Sequence, residues 1–215
     1  MTRILISIAG SVALLTAAAP QSIDLAAQLA AGKLHAVNRD VTNAQGRPGA
    51  VHVSEKADPG LVWIEGVSFT EGAIEIDVRG RDVMQRSFLG LAFHGKDDQT
   101  YECVYLRPFN FRAEEAARKH HAAQYMVLPS FDWPKLREQF PEEFEGGVDQ
   151  AILPTDWLTL KIVVKALKVQ AYAGSAAAPI LDVRKLGDLP GGRIALWTGN
   201  NSDGDFANLR ITPAS

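Results

Sequence analysis

Hydrophobic and polar positions alternate in twos along much of the chain. In "GAIEIDVRG", Ile74, Ile76 and Val78 alternate with Glu75, Asp77 and Arg79. In "SFLGLAFHG", Leu89, Leu91 and Phe93 alternate with Gly90, Ala92 and His94. "YECVYLRPFNF" sets Val104 and Leu106 against Cys103, Tyr105 and Arg107. "WLTLKIVVK" sets Leu158, Leu160, Ile162 and Val164 against Thr159, Lys161 and Val163, and "RIALWTG" and "FANLRIT" follow in the same style. Side chains of a strand leave opposite faces in turn, so this period predicts half-buried antiparallel strands. Turn formers separate the runs: "RGRD", "HGKDDQT", "LPGG" and "GNNSDGD". Successive strands with little helix between them predict an all-β sandwich or barrel.

One region departs from the pattern. From residue 110 to residue 154 the chain is expected to form a long, partly helical insertion. "RAEEAARKHH" is charged and helix-forming, and "FDWPKLREQFP" offers Asp132 as N-cap, Pro134 in the first turn and Pro141 as a stop. Long excursions from small β domains usually carry function.

The positions facing away from the aliphatic sets carry the candidate chemistry. On three successive strands they are Glu75, Asp77 and Arg79, then Gly90, Ala92 and His94, then Cys103, Tyr105 and Arg107. Small residues make a floor and polar residues make walls, which is what a ligand groove requires. An ordinary solvated face with cross-strand ion pairs is the other reading. The insertion leaves directly from Arg107 and supplies Asn110, His120, Gln124 and Tyr125. Amides, guanidinium and imidazole groups suit sugar hydroxyls, and aromatic rings stack on the C–H faces of sugars. His94, Tyr105, Arg107, Asn110, His120, Gln124 and Tyr125 are therefore the expected substrate-binding residues. Arg107 is expected to fork onto Asp77 or Glu75.

Length, charge and cysteine usage narrow the partners. The chain has 215 residues. Arg3, the uncharged run 4–19 and the small residues "TAAAP" form a secretory signal-peptide pattern, expected over residues 1–22. Residues 23–215 are then one domain, secreted or periplasmic, with no membrane contact after cleavage of the leader. A formal charge of -3 and no basic stripe argue against nucleic acid. Cys103 is the one cysteine, so neither an internal disulfide nor a cysteine metal cluster is expected. It reads as a small buried hydrophobe. "NNSDGD" lacks the spacing of a calcium loop and reads as a hairpin turn. No metal and no cofactor are expected.

The segments "FTEGAIEIDVRG", "SFLGLAFHG", "YECVYLRPFNF", "QYMVLP", "WLTLKIVV" and "FANLRI" together resemble the concanavalin A-like lectin/glucanase sandwiches, which include laminin G-like modules. Among these, they resemble secreted bacterial 3-keto-disaccharide hydrolase-like domain proteins. The resemblance implies an antiparallel two-sheet jelly roll and a carbohydrate or sugar-derivative partner. It does not fix function, because this fold hosts binders, hydrolases and adhesion modules. "EIDVRG" is similar to the catalytic strand of laminarinase-type glucanases at Glu75 and Asp77, but Arg79 and Gly80 stand where a second glutamate belongs. Three functions stay open. The first is a glycan binder using a concave sheet face. The second is a glycoside hydrolase-like enzyme with Glu75 or Asp77 as base and His94 or His120 as acid. The third is a protein-interaction module.

Overall fold

The structure, a computed structural model, describes residues 19–214. Its strands, in chain order, are β1 (Gln21–Ile23), β2 (Leu34–Val37), β3 (Val41–Asn43), β4 (Val51–Val53), β5 (Gly60–Phe69), β6 (Gly72–Arg79), β7 (Leu89–Asp97), β8 (Thr100–Leu106), β9 (Ala123–Leu128), β10 (Glu145–Gly146), β11 (Leu158–Lys165), β12 (Lys168–Ala173), β13 (Leu181–Arg184), β14 (Gly192–Thr198) and β15 (Gly204–Pro213). Three short helices join them: α1 (Leu25–Ala30), α2 (Ala116–His120) and α3 (Trp133–Gln139).

The strands form two antiparallel sheets. The first runs β13-β12-β11-β6-β15-β4-β3, with β1 also paired to β15. The second runs β10-β9-β8-β7-β14-β5-β2. The leader pattern lies almost wholly outside the described residues. Strand β1 starts at Gln21, so the expected boundary at residue 22 falls inside the first strand.

Alternation places the core where the sequence predicts it. Leu158, Leu160 and Ile162 of β11 face Val78, Ile76 and Ile74 of β6 in register, and all six are buried. Leu89 and Leu91 of β7 lie opposite Leu106 and Val104 of β8, also buried. These two layers meet face to face and bury the aliphatic sets between them. Truncating one such leucine removes both transfer energy and packing, about 2–5 kcal/mol.

Two sequence expectations change. The insertion is not strand-free: Ala123–Leu128 forms β9, paired in full register with β8 from Tyr101↔Leu128 to Leu106↔Ala123. The excursion proper is the turn Pro108–Asn110 with α2, after which the chain returns beside β8; the Arg107 N–H donates to Ala122 O at 2.7 Å. Asp132 does cap α3, accepting from the Lys135 N–H at 3.1 Å. The second change concerns β6. It belongs to one sheet while β7 and β8 belong to the other, so the three polar sets do not share one surface.

Candidate functional site

On the outward side of the second sheet, Gly90 of β7 lies between Tyr105 of β8 and Trp197 of β14. A Cβ at Gly90 would stand 2.1 Å from Val104 O and 2.5 Å from Tyr105 Cα. With no side chain there, the Tyr105 and Trp197 rings lean together, 4.8 Å between centroids and tilted by 36°. Met126 of β9, opposite Cys103, extends this apolar floor.

Over the floor lies a cleft of about 730 Å³. One wall is the turn after β8 and α2, with Phe109, Asn110, Arg118 and His121. Helix α3 and its cap contribute Asp132, Trp133 and Arg137. Met84, Gln85, Phe88, Gly199 and Asn200 close the remaining side. Trp133 and Met84 are 47% and 51% exposed, so two large apolar side chains meet water at the cleft. Apolar walls with a few placed polar groups are the usual form of a small-molecule site.

Arg107 anchors the floor. Its Nη1 donates to His121 O and to Glu145 Oε1, each at 2.9 Å. Its Nη2 donates to the Tyr105 hydroxyl at 2.8 Å and to Gln124 Oε1 at 2.9 Å. The expected fork onto Asp77 or Glu75 is corrected: the carboxylate partner is Glu145 of β10, because β6 lies in the opposite sheet. Arg137 closes on the same carboxylate with Nε at 2.9 Å and Nη2 at 2.6 Å. His121 Nδ1 approaches it to 2.9 Å. Burial disfavours the Glu145 carboxylate, but the Arg137 hydrogen bonds and the charges of Arg107, Arg137 and His121 outweigh it and hold its pKa below the ordinary value. The Arg137 pKa rises, chiefly through its bond to Glu145. Burial lowers that of His121, with the neighbouring arginines acting the same way. Burial pushes the Tyr105 phenol up to about 12, so its hydroxyl stays protonated.

The other expected site residues divide. Asn110 lines the cleft; its Nδ2 donates to His121 O at 3.1 Å and its Oδ1 accepts from Arg118 Nε at 3.2 Å. Gln124 is wholly buried beneath Arg107, and its Nε2 donates to Tyr125 O and Phe144 O. His120 points away from the cleft toward Glu142 O, while His121 faces it. Adjacent helical side chains diverge by about 100°, so only one of the pair can face the cleft.

His94 and Tyr125 are not on this surface. A bulge after Phe93 gives His94 a φ of 52° and turns its ring inward. His94 Nδ1 then lies 2.8 Å from Glu102 Oε1, and the Tyr125 hydroxyl donates to Glu102 Oε2 at 2.6 Å. Lys185 Nζ approaches the same carboxylate to 3.2 Å. Strand pairing explains Tyr125, which stands opposite the core residue Val104.

Glu75 and Asp77 lie on the outward side of the first sheet. Glu75 faces Lys161 and Arg210 across the strands at 3.7 and 3.8 Å. Asp77 accepts from Thr159 Oγ1 at 2.6 Å, Asn208 Nδ2 at 2.8 Å and Arg47 Nη2. This is the solvated face with cross-strand pairs. The hairpin acids are engaged as well: Asp205 by Arg79 and His52, Asp203 by Arg81. Among the described residues, no three His, Cys, Asp or Glu side chains are grouped to hold a metal ion.

Sequence reasoning missed Trp197, Trp133, Arg137 and Glu145 as neighbours of Arg107. Trp197 carried a signal, because it alternates outward in "RIALWTG". Trp133 and Arg137 carried another, the i,i+4 spacing after the Asp132 cap; the Arg137 guanidinium lies 5.0 Å from the Trp133 ring centroid. Glu145 carried none, since nothing local marks a two-residue edge strand.

No family model and no curated protein match the chain in sequence. Solved structures match its fold. The carbohydrate binding module CBM66 from Bacillus subtilis superposes with a TM-score of 0.60 at 12% identity, over 84% of this chain and 96% of the module. A Bacillus subtilis protein of unknown function with a galectin-like fold gives 0.61 at 13%, over 92% and 97%. The exoplasmic/lumenal domain of VIP36, solved with Ca2+ and Man3GlcNAc bound, gives 0.55 at 10%, over 83% and 84%. The fold is a concanavalin A-like β-sandwich, as the sequence resemblance implied.

Proposed function

We propose that this protein binds carbohydrate in the cleft over Tyr105 and Trp197. The observation that carries the reading is Trp133, 47% exposed in a cleft whose bottom is closed by the packed Tyr105–Trp197 pair. A sugar ring laid on the Trp133 indole covers that apolar surface with its C–H face. The exposed Gln85 amide and the Asn200 Nδ2 supply hydrogen bonds for its hydroxyls. Carbohydrate binders among the fold's solved neighbours support this choice.

Binding is favoured over glycoside hydrolysis by the carboxylates. Two-carboxylate hydrolysis needs a pair flanking the scissile bond. Among the described residues Asp132 is the one carboxylate lining the cleft, and it caps α3. Glu75 and Asp77 lie on the other sheet. The leader-like N-terminal pattern supports action outside the cytoplasm; among the described residues no helix is long and apolar enough to cross a membrane.

An oligosaccharide array probed with the intact protein and with Trp133→Ala tests the reading. Saturable retention of specific glycans that is lost in the variant is expected. Absence of retention across neutral and acidic glycans, or retention indifferent to Trp133→Ala, overturns it.

A further inference from the structure

The polar side of the cleft is unevenly charged. Arg107, Arg118 and Arg137 line it, against Asp132 at the rim and Glu145 one layer behind. Glu145 is already shared: it bonds Arg107 and Arg137 and touches His121. Arg118 has no such partner. Its Nε donates to Asn110 Oδ1 at 3.2 Å and its Nη2 to Phe109 O at 3.1 Å, both neutral acceptors. Arg118 also lines a second depression with Asp82, Arg112, Glu114 and Glu115, but among the described residues no carboxylate comes within ion-pair distance of it. Its half-buried guanidinium is held by Asn110 Oδ1, Phe109 O and a 3.7 Å contact to Met84 Sδ, all uncharged, so its charge is met only at a distance.

A cation with no carboxylate in ion-pair distance is only partly compensated by the protein itself. A planar guanidinium is also the group best shaped for a carboxylate or sulfate, which it can meet with two parallel hydrogen bonds. We infer that the cleft takes an acidic saccharide, whose carboxylate or sulfate docks on Arg118 while its ring lies against Trp133. This inference rests on the carbohydrate-binding reading and adds the charge of the ligand to it. Arg107 and Arg137 point their N–H groups at the Glu145 carboxylate they share and serve that ligand as walls. Arg118 is the group that distinguishes it from a neutral sugar.

The test uses matched probes: uronate oligosaccharides with their methyl esters, and sulfated neutral oligosaccharides with their unsulfated parents. Affinities are measured by titration at low and at physiological salt. The acidic member of a pair should bind at least about tenfold tighter, a difference of about 1.4 kcal/mol, and the preference should shrink with added salt. Preference confined to the uronate pairs identifies a carboxylate, and preference confined to the sulfated pairs identifies a sulfate; either supports the proposal. Arg118→Gln should bring the acidic probes down to the level of their neutral partners. Equal binding of acidic and neutral members overturns the inference and leaves carbohydrate binding standing. Failure of every probe to bind removes the carbohydrate reading itself, and this inference with it. Should Arg118→Gln lower the melting temperature, the comparison of matched probes on the unaltered protein still decides. Preference retained in a well-folded Arg118→Gln protein overturns the assignment to Arg118.

Discussion

Glu145→Gln is the sharpest perturbation of this architecture. The Glu145 side chain is 2% exposed and accepts from Arg107 Nη1 at 2.9 Å and from Arg137 Nε and Nη2 at 2.9 and 2.6 Å. Glutamine keeps the volume and one acceptor oxygen but removes the charge. Breaking a buried pair by removing one partner costs about 3–5 kcal/mol, because the other charge is left buried. Arg107 is 5% exposed and bears that cost in full, whereas Arg137, 35% exposed, can turn to water. With one acceptor retained, a loss of about 2–3 kcal/mol follows. In a domain of this size each kcal/mol moves Tm by about 2–4 °C, so the variant should melt roughly 5–10 °C lower.

The pH dependence of the difference gives an independent check. The folded Glu145 pKa lies below its unfolded value. The carboxylate therefore stabilises the fold fully above the unfolded pKa, about 4.3. That stabilisation is lost as pH falls through the folded pKa. Urea unfolding of the two proteins should show a constant gap from pH 7 down to about 5 and a closing gap below about 4. A melting change under about 2 °C at pH 7, or a gap undiminished at pH 3, would refute the claim that Glu145 compensates the buried Arg107 charge.

Trp133→Ala should weaken saccharide binding about tenfold or more, since covering roughly 100 Å² of half-exposed indole is worth about 2 kcal/mol; unfolding free energy should move by less than about 1 kcal/mol, and unchanged affinity by calorimetry would remove Trp133 from the site. Asp77→Asn should leave saccharide affinity within about twofold, because Asp77 lies on the other sheet, while reducing stability by about 0.5–1 kcal/mol through its partly buried bond to Arg47; a large affinity loss would show that the two faces communicate. Gly90→Ala places a Cβ 2.1 Å from a backbone carbonyl oxygen. It should destabilise by about 1–3 kcal/mol and alter the near-ultraviolet circular dichroism of the Tyr105–Trp197 pair. A neutral effect would mean that the β7–β8 approach is looser than the structure shows.

Alternation made the core legible. Every aliphatic set read from β6, β7, β8 and β11 packs inward, because a sandwich buries one face of each strand and the period is fixed by backbone geometry. It could not say which outward faces coincide. Alternation fixes a side chain's face relative to its own strand and is silent on which sheet that strand joins. Thus Asp77 and Tyr105, both outward, look in opposite directions. It fails again where the backbone breaks step. The bulge after Phe93 sends His94 to the inner face, and its one signal in "LAFHGKD", Gly95, reads equally as the start of the turn "HGKDDQT". The helical signals of the insertion located α3 correctly but hid β9, whose apolar and polar residues, "AQYMVL", are buried on both sides and so lose the alternation of a half-exposed strand.

The Tyr-x-Arg step at Tyr105 and Arg107 shows how an outward face becomes interior. Both side chains leave the open side of the second sheet, yet both residues are buried, because the turn after β8, α2 and β10 rise around them. A guanidinium spent on His121 O, Glu145, Tyr105 and Gln124 has little left for a ligand without breaking one of those bonds. Its contribution is to pin the Tyr105 hydroxyl from the side, which holds the ring beside Trp197 as the packed bottom of the cleft. Rigid aromatic floors lose little entropy when a ligand arrives, so the ordering cost is met at folding and not at binding. Selectivity is then left to the exposed Gln85 amide, the Asn200 Nδ2 and the guanidinium of Arg118, which meets only uncharged acceptors. Arg107→Lys should accordingly act through the floor: with the fork gone, Tyr105 and Gln124 each lose a partner, stability falls by about 1–3 kcal/mol, and affinity drops for neutral and acidic saccharides alike. A loss confined to acidic probes would instead place Arg107 against the ligand's charge, and would contradict the division of labour between Arg107 and Arg118.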